Sequence, residues 1–499
     1  MTCAARARRH AAWVAVWATL GACGESPEAA PPGPPTASAC AAPATPESLA
    51  LHTDHGIFRD ALGREVRLRG VNAGSRSKFA PFVPFAFGDA DAAGRSFEVA
   101  LAAYVDRVAG WGLNVVRLPF TWEAVEPVRG QYDALFLSRL DALIAAAGER
   151  GIRVIVDMHQ DVFARPYCGD GFPLWAMADP ATPATEDCTQ WFQAYFSNAA
   201  MRTDFDRFWS GADGLMTAFE AMWTMIAKRY ADTDAVIGYE IINEPGWGTA
   251  DEDEFSATVL TAFYTRMVGV VRAAAPTKLV FIDPTGFDGV FGETTLQRPV
   301  GDGLVFAPHF YDAAAFAGLE LPDEAALEAK LAGWRDVGVA WDVPVLLGEF
   351  GVAFDAVGAA PYLRAHWEAL EALGIHGTQW EYSITGEDWN AESMSVVEAD
   401  GSDRAVAAEL MRIYPAAIAG TLSAWHFDRD ARTAEFTLAT GSRGTTLVVT
   451  PRGLFPEGVT VRVLDDSAGD ACAAWDAVAG VVRVGGTGTV RVAISPAAP

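Results

Sequence analysis

Positive charge is scarce. Lys and Arg number 37 against 64 Asp and Glu, a formal net charge of −27 over 499 residues. A surface this acidic repels phosphate backbones and anionic bilayers, which argues against a nucleic-acid partner. Cysteine is scarce as well: the six, at 3, 23, 40, 168, 188 and 472, show no zinc-site spacing. The first predicted strand leads into no Gly-rich dinucleotide fingerprint, which disfavours a Rossmann sheet. Charged residues make up only 20% and apolar ones 51%, a composition that excludes a disordered chain. The apolar stretch Ala11–Ala22 is too short to span a bilayer comfortably and has the size of a signal-peptide core.

That stretch follows a basic cluster, Arg6, Arg8, Arg9 and His10, and ends in Leu20-Gly21-Ala22-Cys23, which resembles a bacterial lipobox. Residues 1–23 are therefore expected to be a lipoprotein-type signal. Cleavage would leave Cys23 diacylated, and two chains on one cysteine anchor firmly to a membrane. The exported protein is then bound to the cell envelope, or simply secreted if Cys23 is incidental. Residues 24–49, rich in Pro and Ala, read as an extended linker. Export permits disulfides. Of the four cysteines left, Cys168 and Cys188 bracket one long loop and are the preferred pair. Cys40 would then join Cys472, although three pairings are possible.

From about residue 66 to 413, short apolar runs alternate with longer amphipathic stretches. The runs are Val66–Val71, Leu113–Leu118, Arg153–Asp157, Val236–Ile242, Leu279–Ile282, Leu304–Ala307, Val343–Leu347 and His376–Trp380. The stretches expected to be helices are 97–110, 133–150, 216–230, 254–275, 323–340, 360–373 and 402–413. Buried strands alternating with helices indicate an α/β fold with a parallel sheet, and eight of them indicate a (β/α)8 TIM barrel over residues 50–415. After Pro415 the pattern changes to alternating, β-branched segments separated by Gly, Asp and Ser. Residues 416–499 are expected to form an antiparallel β-sandwich.

Chemistry in such a barrel sits where strands end. Polar groups do cluster there: Arg117, Asp157 and His159, Asn243 and Glu244, His309 and Tyr311, Glu349, and Trp380. Strands four and seven face each other across the mouth and end in Glu244 and Glu349. Hydrolysis of a glycosidic bond with retention needs two such carboxyls about 5–5.5 Å apart.

These residues also carry a family resemblance. Gly238-Tyr239-Glu240-Ile241-Ile242-Asn243-Glu244-Pro245 resembles the acid/base signature of glycoside hydrolase family 5, and Gly348-Glu349-Phe350-Gly351 its nucleophile motif. Arg117-Leu118-Pro119, Asp157-Met158-His159-Gln160-Asp161 and His309-Phe310-Tyr311 extend the likeness over most of the barrel. Arg69-Gly70-Val71-Asn72, Ser77-Lys78, Trp122–Pro127, Cys168–Pro173 and Trp389-Asn390 bring it closest to glycolipid-acting members, the endoglycoceramidases and glucosylceramidases. The resemblance implies that Glu244 starts protonated as acid/base and that Glu349 is the ionised nucleophile, held charged by Arg117 and Tyr311. Asn243 is expected to meet the sugar 2-OH. His159 and His309 orient the sugar or the acid/base, and Trp380 is the stacking floor. Asp161, Lys78 and Trp389 complete the sugar contacts. No metal and no cofactor is required.

The aromatic-rich insertion from about 163 to 210 and the segment Phe79–Phe85 suit a ceramide or sterol aglycone. They would equally stack on a polysaccharide or pack the insertion. The function implied is a retaining β-glycosidase on a glycolipid, acting as a monomer. An endo-β-glucanase and a non-catalytic carbohydrate- or lipid-binding lipoprotein are the alternatives.

Overall fold

A computed structural model describes residues 40, 42–43, 45–316, 321–384, 393–441 and 443–498. The signal segment, Cys23, most of the linker and Trp389 lie outside these residues.

Eight strands form a parallel barrel. In chain order they are Arg69–Asn72, Val115–Phe120, Arg153–Met158, Val236–Glu240, Leu279–Ile282, Leu304–Phe306, Leu346–Leu347 and His376–Gln379. They pair consecutively from the first to the sixth, and the eighth lies between the seventh and the first. A parallel bridge between Phe306 and Val345, continued by His309–Phe310 against Glu349–Phe350, closes the ring between strands six and seven. Each predicted apolar run supplies one strand.

The strand period of two explains how the barrel positions its site. Val115, Ile155, Leu279, Phe281 and Val305 belong to an apolar floor, joined by Leu51, Phe58 and Val66 from the segment before the barrel. Two residues beyond Val115, Ile155 and Phe281 stand Arg117, Asp157 and Asp283. The strand pattern thus passes from a dry floor to a charged mouth.

Outside the strands, the helices Phe97–Gly110, Ala134–Glu149, Leu215–Tyr230, Glu324–Trp341 and Ala359–Leu373 match the amphipathic stretches. Side chains of Ser96, Asp133 and Asp323 cap three of them, accepting backbone N–H groups left free at the first turn. The stretch 254–275 is interrupted by a π turn at Ser256–Leu260. The stretch expected as a helix over 402–413 is instead a short 3-10 segment, Ala405–Leu410. Met411–Ile413 then lead into the strand Tyr414–Ile418.

The C-terminal region is a two-sheet antiparallel sandwich packed on Phe436, Val448, Val482, Val490, Val492 and Ile494. The boundary differs from the expected one. Strands His52–Asp54, Ile57–Arg59 and Glu65–Val66, predicted as barrel, extend the sandwich sheet by pairing through Glu65–Val66 with Tyr414–Ile418. The run Val66–Val71 is accordingly split: the Arg67 N–H bonds the Ala416 carbonyl, and only from Arg69 does the chain join the barrel. Both disulfides form, Cys168 with Cys188 and Cys40 with Cys472. No helix among the described residues is long and apolar enough to cross a membrane.

Candidate active site

Glu244 and Glu349 meet at the barrel mouth. One oxygen of each lies within 4.8 Å of the other and of a His309 ring nitrogen. Such closeness fits the short separation of a retaining pair and leaves no room for the water an inverting pair must hold.

Glu349 follows strand seven and is 5% exposed. Its Oε1 accepts from Arg117 Nη1 at 2.6 Å and its Oε2 from the Tyr311 hydroxyl at 2.9 Å. Burial works against its charge, but His309 and Arg117 outweigh burial and hold its carboxyl below the usual glutamate range. It is held in the ionised form.

Arg117 is fully buried and works as a hub. Its guanidinium donates to Glu240 twice, at 2.9 and 2.6 Å, to Asn72 at 2.9 Å and to Asn243 at 2.8 Å, and lies 3.1 Å from Asp157. A planar fork with five donors suits this set, as an ammonium would not. Its Nη1 contact with Glu349 is the one expected of a group that holds this carboxyl charged. Asn243 is tied on both ends, accepting from Arg117 and donating to the Gln160 carbonyl at 3.0 Å.

Glu244 is the more open of the two carboxyls, with its backbone at φ +39°, a left-handed conformation uncommon outside glycine. Its N–H donates to Asp283 at 2.8 Å, and its carbonyl accepts from the Gln160 amide at 2.7 Å. Strain of this kind persists where surrounding contacts over-determine it. The Glu244 side chain needs Gly286, where a Cβ would stand 2.7 Å from its Oε2.

His309 stands beside Glu244, its Nδ1 2.8 Å from Oε1. It also lies 3.5 Å from Asp283, 3.6 Å from Glu349 and 3.8 Å from Glu240. Burial disfavours its charge, yet this ring of carboxyls drives its pKa well above the ordinary histidine value.

On the opposite side, His159 Nδ1 bonds Asp157 at 2.8 Å and the ring stacks against Trp380 at 5.4 Å. Burial and Lys78 oppose its protonation, but Asp157 and Asp161 raise its pKa to about 10. Lys78 pairs with Asp161 and sits 4.6 Å from the centre of the Trp380 ring. Burial would neutralise Asp161; Lys78 and His159 instead hold it below the ordinary carboxylate range. Lys78, His159, Asp161 and Trp380 thus form one polar wall with an aromatic face, suited to hydroxyls and a sugar ring.

Among the described residues, three carboxylate–histidine groups have the reach to hold a cation: His159 with Asp161 and Asp170, Glu240 with Asp283 and His309, and Glu244 and Glu349 with His309. Lys78 already pairs Asp161, and Arg117 already pairs Glu240 and Glu349. An ion would have to displace these contacts. Asn72, Glu240 and Asp283 escaped the sequence-based choice of site residues. A charged residue inside the apolar run Val236–Ile242 was the available signal for Glu240.

Of the predicted aglycone aromatics, Phe163, Tyr167, Phe172 and Phe208 are buried and pack the insertion itself. Phe85 does the same for the first loop. Phe196 remains 53% exposed and continues, through Trp247, to Phe287 at 37% and Phe291 at 58%. This patch begins one residue after Gly286, beside Glu244.

Residues 61–386 match the model of cellulase (glycosyl hydrolase family 5), and 412–484 that of the glycoside hydrolase family 5 C-terminal domain. Endoglycoceramidase I of Rhodococcus hoagii is 27% identical over 91% of this chain and 89% of its own. A glucosylceramidase of Aspergillus fumigatus is 27% identical over 59% of this chain and 45% of its own. Endo-glycoceramidase II from Rhodococcus sp., solved as a ganglioside GM3 complex, superposes with a TM-score of 0.75 at 26% identity, covering 89% of this chain and all of that one. The chain is a member of glycosyl hydrolase family 5.

Proposed function

We propose that this protein is a retaining β-glycosidase that hydrolyses the bond between a glycan and a lipid-like aglycone by double displacement. The observation that carries the proposal is the approach of Glu244 and Glu349 to within 4.8 Å. Glu349 attacks the anomeric carbon while Glu244 gives its proton to the leaving oxygen, producing a glycosyl-enzyme ester. Glu244 then takes a proton from water, which attacks the same carbon and restores Glu349. Asn243, His159, Asp161 and Lys78 bind the sugar, with Trp380 beneath it; Trp389, outside the described residues, is assigned the same role from the family resemblance.

The lipid part is supported by the aromatic patch beginning beside Glu244 and by the endoglycoceramidase and glucosylceramidase among the relatives. The lipobox at Cys23 supports an exported lipoprotein held at the cell envelope, near lipid substrates.

Mass spectrometry of products from glucosylceramide, steryl glucoside, a ganglioside and carboxymethyl-cellulose tests the proposal. Release of free lipid and intact glycan is expected, with the anomer retained by NMR. Turnover of the polymer alone would end the lipid assignment, and an inverted anomer would end the mechanism.

A further inference from the structure

The acid/base Glu244 is held at both ends by one residue the family motifs do not include. Asp283 follows barrel strand five and is almost wholly buried. Its Oδ2 accepts the Glu244 N–H at 2.8 Å and lies 3.5 Å from His309 Nε2. The other nitrogen of that ring, Nδ1, is 2.8 Å from Glu244 Oε1. Backbone, carboxyl, imidazole and side chain thus close a ring on a single residue. The Tyr264 hydroxyl donates to the Asp283 carbonyl at 2.6 Å and fixes the strand end from below.

We propose that Asp283 is a positioning residue for Glu244, pinning its strained backbone directly and orienting its carboxyl through His309. This rests on Glu244 being the acid/base. Two facts single out Asp283 among the carboxyls near His309. Both oxygens of Glu240 are already taken by Arg117, and Glu240 stands 3.8 Å from His309 Nε2 against 3.5 Å for Asp283 Oδ2. Asp283 also touches the Glu244 backbone where φ is +39°, so its loss frees a conformation a glutamate otherwise avoids.

The orientation decides which oxygen carries the catalytic proton. A His309 protonated on both nitrogens donates from Nδ1 to Glu244 Oε1 and leaves Oε2 to hold Glu244's own proton. Oε2 is the oxygen beside Gly286, where the aromatic patch starts. A neutral His309 protonated only on Nε2 would accept from Oε1 instead, drawing the proton away from the leaving group. His309, Glu240, Glu244 and Tyr264 are the titratable groups around Asp283, and neither Glu240 nor Glu349 bonds the Glu244 backbone.

The test uses aryl β-glycosides of the sugar the enzyme releases, with leaving groups from 2,4-dinitrophenol to phenol, on the full chain. A poor leaving group needs the acid; dinitrophenolate does not. Asp283→Ala is expected to lose about 100-fold in kcat/KM on the phenyl glycoside, the scale of general acid catalysis. On the dinitrophenyl glycoside the loss stays within about 3-fold, since glycosylation there needs no proton. Added azide, which attacks without a base, should raise kcat of the variant and yield a glycosyl azide. Asp283→Asn keeps an acceptor for the Glu244 N–H and recovers part of the loss; it also serves as the probe if the alanine variant fails to fold.

Glu244→Ala is measured in parallel. Equal losses on both glycosides, or none, in Asp283→Ala while Glu244→Ala discriminates between them would overturn the role of Asp283 alone. If Glu244→Ala itself shows no dependence on the leaving group, the acid/base assignment falls and the role of Asp283 with it.

Discussion

The hydroxyl of Tyr311 donates to Glu349 Oε2 at 2.9 Å, reaching from the loop after strand six to the loop after strand seven. A neutral donor thus restrains one oxygen of the nucleophile while the cationic fork of Arg117 restrains the other. The two oxygens are unequal before any sugar arrives, and the weaker restraint lies on the oxygen also 3.6 Å from His309.

Tyr311→Phe removes this bond and little volume. A hydrogen bond to a charged group contributes about 1.5–3 kcal/mol, so kcat/KM should fall roughly 10- to 150-fold. The carboxylate loses a donor, and the acid limb of the kcat/KM profile should move to higher pH. A variant with wild-type kcat/KM and an unmoved limb would show that Tyr311 does not act on the nucleophile.

Arg117→Lys tests the hub. One ammonium cannot reproduce bonds to Glu240, Glu349, Asn72 and Asn243, so buried carboxylates are left without a partner. Breaking a buried ion pair by removing one side costs about 3–5 kcal/mol. Urea unfolding should show a loss of this order. Because Glu349 loses the 2.6 Å bond from the guanidinium, the acid limb should again shift upward. Preserved stability would mean that the remaining histidines and Lys78 neutralise the cluster.

The barrel, its strand ends and the carboxyl pair were legible in the sequence because a buried parallel strand leaves an unmistakable apolar run. What lay beyond reach depends on long-range pairing. Val66 looks like the start of a barrel strand, and only Ala417, its partner across the sheet, shows that it belongs to the sandwich. Asp283 closes an apolar run exactly two positions past Phe281 but gives no hint that the Glu244 N–H needs it. Aromatic content did not separate the buried Phe172 from the exposed Phe196, since both lie in one polar-flanked insertion.

His159 gives a prediction on stability. Its folded pKa of about 10 stands above the 6.5 of an unperturbed imidazole. The folded state therefore binds this proton more tightly than the unfolded state. The resulting stabilisation is complete below pH 6.5 and is lost progressively as pH rises toward 10. Melting temperature should decline between pH 6.5 and 9, and His159→Gln should flatten that decline. An equal slope in the variant would assign the alkaline loss to other groups.

The sandwich is expected to be part of the barrel's stability rather than a detachable module. Its sheet contains Ile57–Arg59 and Glu65–Val66, whose partner strand Tyr414–Ile418 lies more than 300 residues away in sequence. Phe58 and Val66 from these strands form the barrel floor with Val115, Ile155 and Phe281. A chain ending at Ile413 strips the partner from Glu65–Val66 and exposes an unpaired edge, an invitation to aggregation. It also removes the ring of Tyr414, which lies 5.2 Å beneath the Arg69 guanidinium, and the bond from its hydroxyl to the Gly112 carbonyl. Soluble yield and gel filtration should show aggregated, inactive protein. A monomeric chain of residues 50–413 with wild-type turnover would show that the floor closes without the sheet that carries it.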